Sequence, residues 1–393
     1  MFMEERRVYY FDNNATTAVA PEVFEAMKPY FQTEWGNPSS AYFFGHHLSG
    51  AIQEAREKVA ALIHAEPREV VFTSCGTESD NTAIFSALET TGKRHLITSA
   101  VEHSAIMNQT QFLKRKGYDV TYLPVNPDGT LDPAQVAAAI RPDTALVSLM
   151  YANNETGVIF PIEEVGKICK KAGVLFHTDA VQTPGKLEID VQKLGVDFLS
   201  LSAHKLHAPK GIGLLYIKHR TPFQPYVMGG HQENKRRAGT ENVPYIVGFG
   251  KAAELSLASI KEEKTRVKEL RDRLEQGILS AVPHTHLNGN RELRLPNTSN
   301  ITFSYIEAEA ILILLDQLGV CASSGSACTT GSGSSHVLNA MGLSPMEARG
   351  SVRFSLSRYT TAEDVDHVLK YLPGIIAKLR TMSPLSESHP DNV

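Results

Sequence analysis

Seven short apolar or β-branched runs, at residues 70–73, 95–99, 119–124, 145–150, 174–178, 198–202 and 213–217, alternate with stretches of helical spacing. No other feature restricts the fold as much. Strands separated by helices pair most readily in parallel, because a crossover helix returns the chain to the same edge of a sheet. Several runs lack polar alternation, as expected where helices cover both faces. In the stretch before the first run, Ile52, Ala55, Val59 and Leu62 fall on a single helical face. The first part of the chain therefore reads as α/β, with a mainly parallel seven-stranded sheet.

After about residue 250 the pattern changes. Val267, Leu270, Leu274, Ile278 and Ala281 mark a long helix with a charged outer face. A strand-like NITFSY (300–305), a helix from Glu307, a small-residue loop, a strand GSVRFSLS (350–357) and a helix from about Thr361 follow. This reads as a smaller α+β domain. The expected division is an N-terminal segment (1–15) packing on the small domain, a large domain (16–258), a small domain (259–382) and a polar, disordered tail (383–393).

Composition removes several function classes. The 39 basic and 43 acidic residues leave a net charge of −4, which argues against a phosphate-backbone partner. The most apolar run, 310–315, is cut by Asp316 and is far short of a membrane span. With no apolar segment of signal-peptide length near the start, the expected location is cytoplasmic. The four cysteines, Cys75, Cys169, Cys321 and Cys328, form neither a disulfide framework nor CxxC zinc spacing. Cys75 and Cys169 read as packing residues and Cys321 as buried. Cys328 differs: it lies in CASSGSACTTGSGSSH (321–336), a stretch with no face to bury.

Two segments carry most of the chemistry. VLFHTDAVQ delivers Asp179 at the end of one apolar strand, and FLSLSAHKLHAPKG delivers Ser202, His204 and Lys205 at the end of another. Ligands of open α/β sheets bind at such carboxyl ends. A carboxylate and a lysine there are compatible with a structural ion pair, with acid–base groups, or with the two fixed points of pyridoxal phosphate. In the last case the lysine bonds the cofactor's aldehyde carbon and the acid holds its pyridine nitrogen protonated. That reading requires a phosphate cradle. TSCGTESDNTAI supplies one, with Gly76 and Thr77 at the start of a helix.

The segments FDNNATT, TSCGTESDN, VEHSA, YANNETG, HTDAVQ, SAHKLHAPKG, RRAGTENV, SSGSAC and VRFSLSRYTT, in this order, resemble those of cysteine desulfurases of the NifS/IscS type. These are fold-type I pyridoxal-phosphate enzymes. The likeness spans roughly residues 9–380 and is nearer the nitrogen-fixation branch in its RAGTEN and AHKLHAPKG spellings. TTGSGSSHVL after Cys328 departs from the family's usual spelling.

The resemblance implies a role for each matching residue. Lys205 would hold the cofactor covalently and later move the substrate's α-proton. Asp179 would pair with the pyridine nitrogen, Gln182 with the phenolic oxygen, and His103 would lie on the ring face. Gly76, Thr77, Ser202, Ala203 and His204 would complete the cofactor site. Asn154 would touch both ring and substrate. Arg353 would clamp the substrate carboxylate, as a planar guanidinium can, with Arg358 the runner-up. Thr240 would reach the phosphate of a neighbouring subunit, which makes the enzyme a homodimer. Cys328 would take the substrate's sulfur as a persulfide and pass it to a U-type iron–sulfur scaffold, transiently bridging a cluster there. A selenocysteine lyase or another transferase of this fold would need Lys205 and Asp179 but not Cys328. A non-catalytic sulfur carrier would be expected to lack at least one of Lys205, Asp179, His103 and Arg353.

Overall fold

The computed structural model describes residues 7–324 and 334–384. The seven-stranded sheet is present. Across it the order is Val70–Thr73, Gly213–Ile217, Phe198–Ser202, Leu175–Asp179, Thr144–Met150, His95–Ser99 and Asp119–Leu123. Gly213–Ile217 runs antiparallel to both of its neighbours; the other pairings are parallel. The strand expected at 174–178 lies one residue later, so Asp179 is its last residue and pairs with Met150 and Ser200.

The unbroken apolar runs have a direct cause. Neighbouring residues of a strand face opposite sides, and here both sides are covered. Leu146 packs with Ile84 and Leu88 on one face, while Val147 packs with Phe176 and Leu199 on the other. The helix Leu48–Leu62 buries Ile52, Ala55, Val59 and Leu62, the face expected from their spacing. It lies against the helix Val243–Glu262 at close range, because a Cβ on Gly250 would come within 2.7 Å of the Ala55 Cα.

The later part of the chain builds a second core. Ser323–Ser324, Ser351–Ser355, Thr298–Phe303 and Thr285–Asn288 form an antiparallel sheet in that order. Helices Lys268–Ala281 and Ala362–Met382 contribute Leu274, Ile278, Val368 and Leu372 to the core, against Ile301, Phe303 and Phe354. The chain passes between the two cores without a break in helicity: Val243–Glu262 continues through a wider turn at Glu263–Val267 into Lys268–Ala281. Near the N-terminus Tyr9–Tyr10 pairs in parallel with Val320–Cys321, and Phe11 enters the second core. No described helix is long and apolar enough to cross a membrane.

Candidate active site

The carboxyl ends of the central strands open into a cavity of about 310 Å³. Gly76, Thr77, His103, Asn154, Asp179, Gln182, Ser202, His204, Lys205 and Arg353 all border it. These come from segments scattered over the whole chain, and the sheet topology alone brings them together.

Lys205 ends a single turn, Ala203–Lys205, directly after its strand. Its amine donates to the carbonyls of Asn14, at 2.5 Å, and Ala15, at 2.8 Å. Burial lowers its pKa to about 7, with Arg353 and Lys186 adding to the effect and Asp179 and Asp12 opposing it. A lysine so poised is substantially neutral near neutral pH, which a nucleophilic amine requires.

Asp179 is buried, and one of its oxygens accepts the Val181 N–H at 2.9 Å. Burial pushes its carboxyl up, against the pull of His103, Val181 and Lys205. Two more buried carboxyls lie close by. Asp80 is pushed well up by burial and by Asp179, and Glu102 is pushed up to about 8, chiefly by burial. This end of the cavity is short of positive charge, so a protonated pyridine nitrogen would be stabilised there.

His103 is the cap of the helix Ser104–Arg115, with Nδ1 accepting the Ala105 N–H at 3.2 Å. That bond places the proton of a neutral ring on Nε2. Burial lowers its pKa, so the neutral ring is the favoured form. The helix Gly76–Thr91 starts at the cavity with no side-chain cap, leaving its first N–H groups for an anion. A Cβ at Gly76 would meet Val181 Cγ2 at 2.8 Å, so glycine is required for the approach. Gln182 donates through Nε2 to the Asn14 carbonyl at 3.0 Å, while its buried Oε1 has no partner. An orphan acceptor, a charge-starved aspartate, an uncapped helix start and a poised lysine all fit pyridoxal phosphate.

Arg353 is buried on its strand and donates to the Asn154 carbonyl at 2.8 Å and to Asp12 at 2.7 Å. Arg358, the runner-up, turns elsewhere: it donates to Ser259 at 3.2 Å and stacks on Tyr359. By the role that the resemblance implies for it, Arg353→Lys is expected to raise the substrate's KM about 10- to 100-fold, because a two-point carboxylate clamp carries about 1.5–3 kcal/mol that an ammonium does not recover. Steady-state kinetics check this.

Not every expected residue lines the cavity. Ala203 is fully buried in the large core. Thr240 is exposed and stands apart from this chain's cavity. Cys321, expected to be buried, is half-buried where it pairs with Tyr10. Cys169 is buried as expected, its thiol pushed up to about 12 by burial. Cys75 is half-buried and borders the cavity. Cys328 lies outside the described residues.

The residues flanking that segment are described. Ser323 and Ser324 on one side and His336 on the other border the cavity. His336 is held through Nε2 at 2.9 Å from the Glu102 carbonyl. Ser335 caps the helix His336–Ala340 and donates to Glu155 at 2.5 Å. Burial raises Glu155 from 4.5 to about 7, against the pull of Ser335 and Arg353. Between those values the folded chain keeps a proton that the unfolded chain has lost. This contribution to stability is therefore full below 4.5 and gone above about 7. Glu155→Gln should remove the decline, so its melting temperature should gain on the parent's as pH rises from about 5 to 8. Thermal melts across that range check it.

Sequence reasoning missed Asn14, Ala15, Asp80, Glu155, His336 and Arg237, which pairs with Glu78 at 2.9 Å in the first turn of the phosphate-side helix. Several sit inside the quoted motifs, but their roles depend on partners far away in the chain.

A lysine and an aspartate at the ends of adjacent parallel strands, with an open helix start beside them, define a fold-type I pyridoxal-phosphate enzyme. The chain belongs to the class-V aminotransferase family, whose description, Aminotransferase class-V, matches residues 9–368. It is 55% identical over 386 residues to "Cysteine desulfurase 2" of Trichormus variabilis, covering 98% of this chain and 97% of that one. It is 52% identical to "Cysteine desulfurase NifS" of Azotobacter vinelandii, covering 95% of this chain and 94% of the relative. Among solved structures, a "NifS-like protein" superimposes with a TM-score of 0.89 at 40% identity, over 95% of this chain and all (100%) of that one. One described as "SspA in complex with cysteine" gives 0.80 at 38% identity, over 90% and 99%.

Proposed function

We propose that this protein is a cysteine desulfurase that converts L-cysteine to alanine and carries the sulfur away as a persulfide on Cys328. The observation that carries the reading is the convergence of Lys205, Asp179, His103 and Arg353 on one cavity that the flanks of the Cys328 segment also border. Bound pyridoxal phosphate supplies an electron sink for the bonds around the substrate's α-carbon.

The chain's own groups do the rest. Arg353 holds the substrate carboxylate and so fixes which face is presented. Asp179 keeps a positive charge on the ring nitrogen's side of the cavity. The Lys205 amine, once free, takes the α-proton and later returns a proton to the β-carbon; the Asn14 and Ala15 carbonyls hold it in reach. His103 is a neutral ring able to accept the Cys328 proton. The Cys328 thiolate attacks the substrate sulfur, the carbon–sulfur bond breaks with its electron pair going to the β-carbon, and the two protons taken earlier by Lys205 and His103 are returned, one to the β-carbon and one to the α-carbon, to give alanine. Cys328 lies four residues beyond Ser324, which borders the cavity, a separation that a chain of about 3.3–3.6 Å per residue can span.

The acceptor is a U-type iron–sulfur scaffold, with nitrogenase cluster assembly the nearest branch and a cluster bridged to Cys328 only in that complex. The cell compartment is the cytoplasm. The working form is a homodimer in which Thr240 meets the neighbour's phosphate. A patch of exposed aromatics, including Phe43 at 83%, Trp35 at 68% and Phe31 at 54% exposure, supports a covering partner copy. Phe43→Glu should shift the protein from dimer toward monomer in light scattering; an unchanged mass would remove this patch from the interface.

The reading as a whole is tested by one turnover with cysteine and no reductant. One alanine per subunit, with one sulfur added to the Cys328 peptide by mass, is the expected result. Alanine without sulfur on Cys328 would instead favour the selenocysteine-lyase or transferase chemistry.

A further inference from the structure

Lys205 also borders a second cavity of about 20 Å³, enough for one water molecule. Its charged and titratable walls are Lys186, from the turn after Asp179; Lys205 and His207, from the loop after Ser202; Glu263, from the wide helical turn; and Arg358, from the second core's side. None of Lys186, Glu263 and His207 has a place in the reaction described above.

Lys186 is only 7% exposed. Its ammonium donates to the Gln182 carbonyl at 3.0 Å and makes no ion pair among the described residues. Glu263 is equally enclosed, at 6%. One of its oxygens accepts the Arg358 N–H at 3.1 Å, and the other, Oε2, has no partner. A buried ammonium and a buried carboxylate oxygen thus face one cavity without touching, and that cavity has the size of the missing bridge. Burial of unpaired ions is costly: it lowers the pKa of the Lys186 ammonium to about 8 and raises that of the Glu263 carboxyl, each offset in part by the other's charge, and a bridging water relieves both.

We propose that Lys186 is a positioning residue: bridged by one buried water to Glu263 Oε2, it sets a positive charge beside Lys205 that keeps the Lys205 amine unprotonated. Two ammonium groups bordering one small cavity repel, and the one without a counter-ion gives up its proton first. Lys186 has Glu263 opposite it. Lys205 has only carbonyl acceptors within hydrogen-bond reach of its amine; Asp179 and Asp12 pull it toward the charged form, less than burial and the charges of Arg353 and Lys186 push it the other way. His207 carries no charge to alter this, because burial and Arg358 hold it neutral. The link is also mechanical. Lys186 holds the Gln182 carbonyl, the Gln182 side chain holds the Asn14 carbonyl, and that carbonyl receives Lys205.

The functional meaning rests on Lys205 being the cofactor lysine, but the test does not. Cofactor-free full-length enzyme is pulsed with trace acetic anhydride over a pH series, and acetylation of the Lys205 peptide is quantified by mass. Lys186→Met should move the labelling midpoint of Lys205 up by half a unit or more, about a twofold loss of free amine at pH 7. Lys186→Arg, which keeps the charge, should restore the parent midpoint. A folded Lys186→Met with an unmoved midpoint overturns the proposal, and so does a Lys186→Arg that shifts as far as Lys186→Met. If Lys186→Met fails to fold, Lys186→Gln keeps a donor for the Gln182 carbonyl and is held to the same outcome. Should Lys205 not be the cofactor lysine, Lys205→Ala would keep its visible colour, a separate failure.

Discussion

Lys205→Ala is expected to give a folded, colourless protein with desulfurase activity reduced by at least about 10³-fold. Two losses add. Lys205 is the only lysine among the described residues that line the cavity, so the absorbance expected near about 400 nm should vanish from the purified protein. In the proposed reaction it is also the base for the α-proton, and a positioned base contributes about 10²–10⁴-fold. The substitution should leave folding intact, because the Lys205 side chain donates only to carbonyls at the cavity edge while Ala203 and Leu206 on either side hold the turn in the core. A colourless protein with a normal melting transition would separate loss of chemistry from loss of structure. Retained colour would move the covalent role to another lysine.

Cys328→Ala should have an effect of similar size and a different character. Colour, cysteine binding and its spectral change should persist, since Lys205, Asp179, His103 and Arg353 lie on the cavity wall and not on the Cys328 segment. Sulfide release and alanine formation should fall about 10³-fold or more, because no other thiol is placed to take the sulfur. Cys321 is tied into a strand pairing, and Cys169 is sealed in the core. Cys75 stands at the helix start, where the cofactor's phosphate would cover it. Sulfide release at the parent rate would overturn the persulfide route and restore the reading of a lyase that needs only Lys205 and Asp179. The two variants together divide the reaction: one removes the cofactor's hold, the other removes the sulfur's destination.

The same division marks how far the sequence could be read. Lys205, Asp179 and Gly76 were legible because each ends an apolar strand or opens a helix, and strand ends of a parallel sheet share one side. Arg353 ranks above Arg358 from the sequence, where it alternates with Val352 and Phe354; the structure adds its contacts with Asn154 and Asp12, which no local pattern announces. Asn14 was the least legible. Nothing near it announces that its carbonyl receives both Gln182 and Lys205, residues about half the chain away. Lys186 and Glu263 were hidden for the same reason, each looking like one more charge on a helical or turn segment.

The sequence by itself determined the layered α/β architecture and the identity of the chemical groups. Periodicity records which faces are buried, and reactive residue types cannot be exchanged without losing the chemistry. The tertiary structure decided which of those groups meet and in what charge state. Proximity of distant segments and the displacement of water around them are properties of the packed chain. They lowered the pKa of Lys205 to about 7 and that of His103 below the usual imidazole value, and they placed the flanks of the Cys328 segment at the cavity rim. Local sequence carries no term for desolvation or for a neighbour's charge, and those two terms set the reactivity of this site.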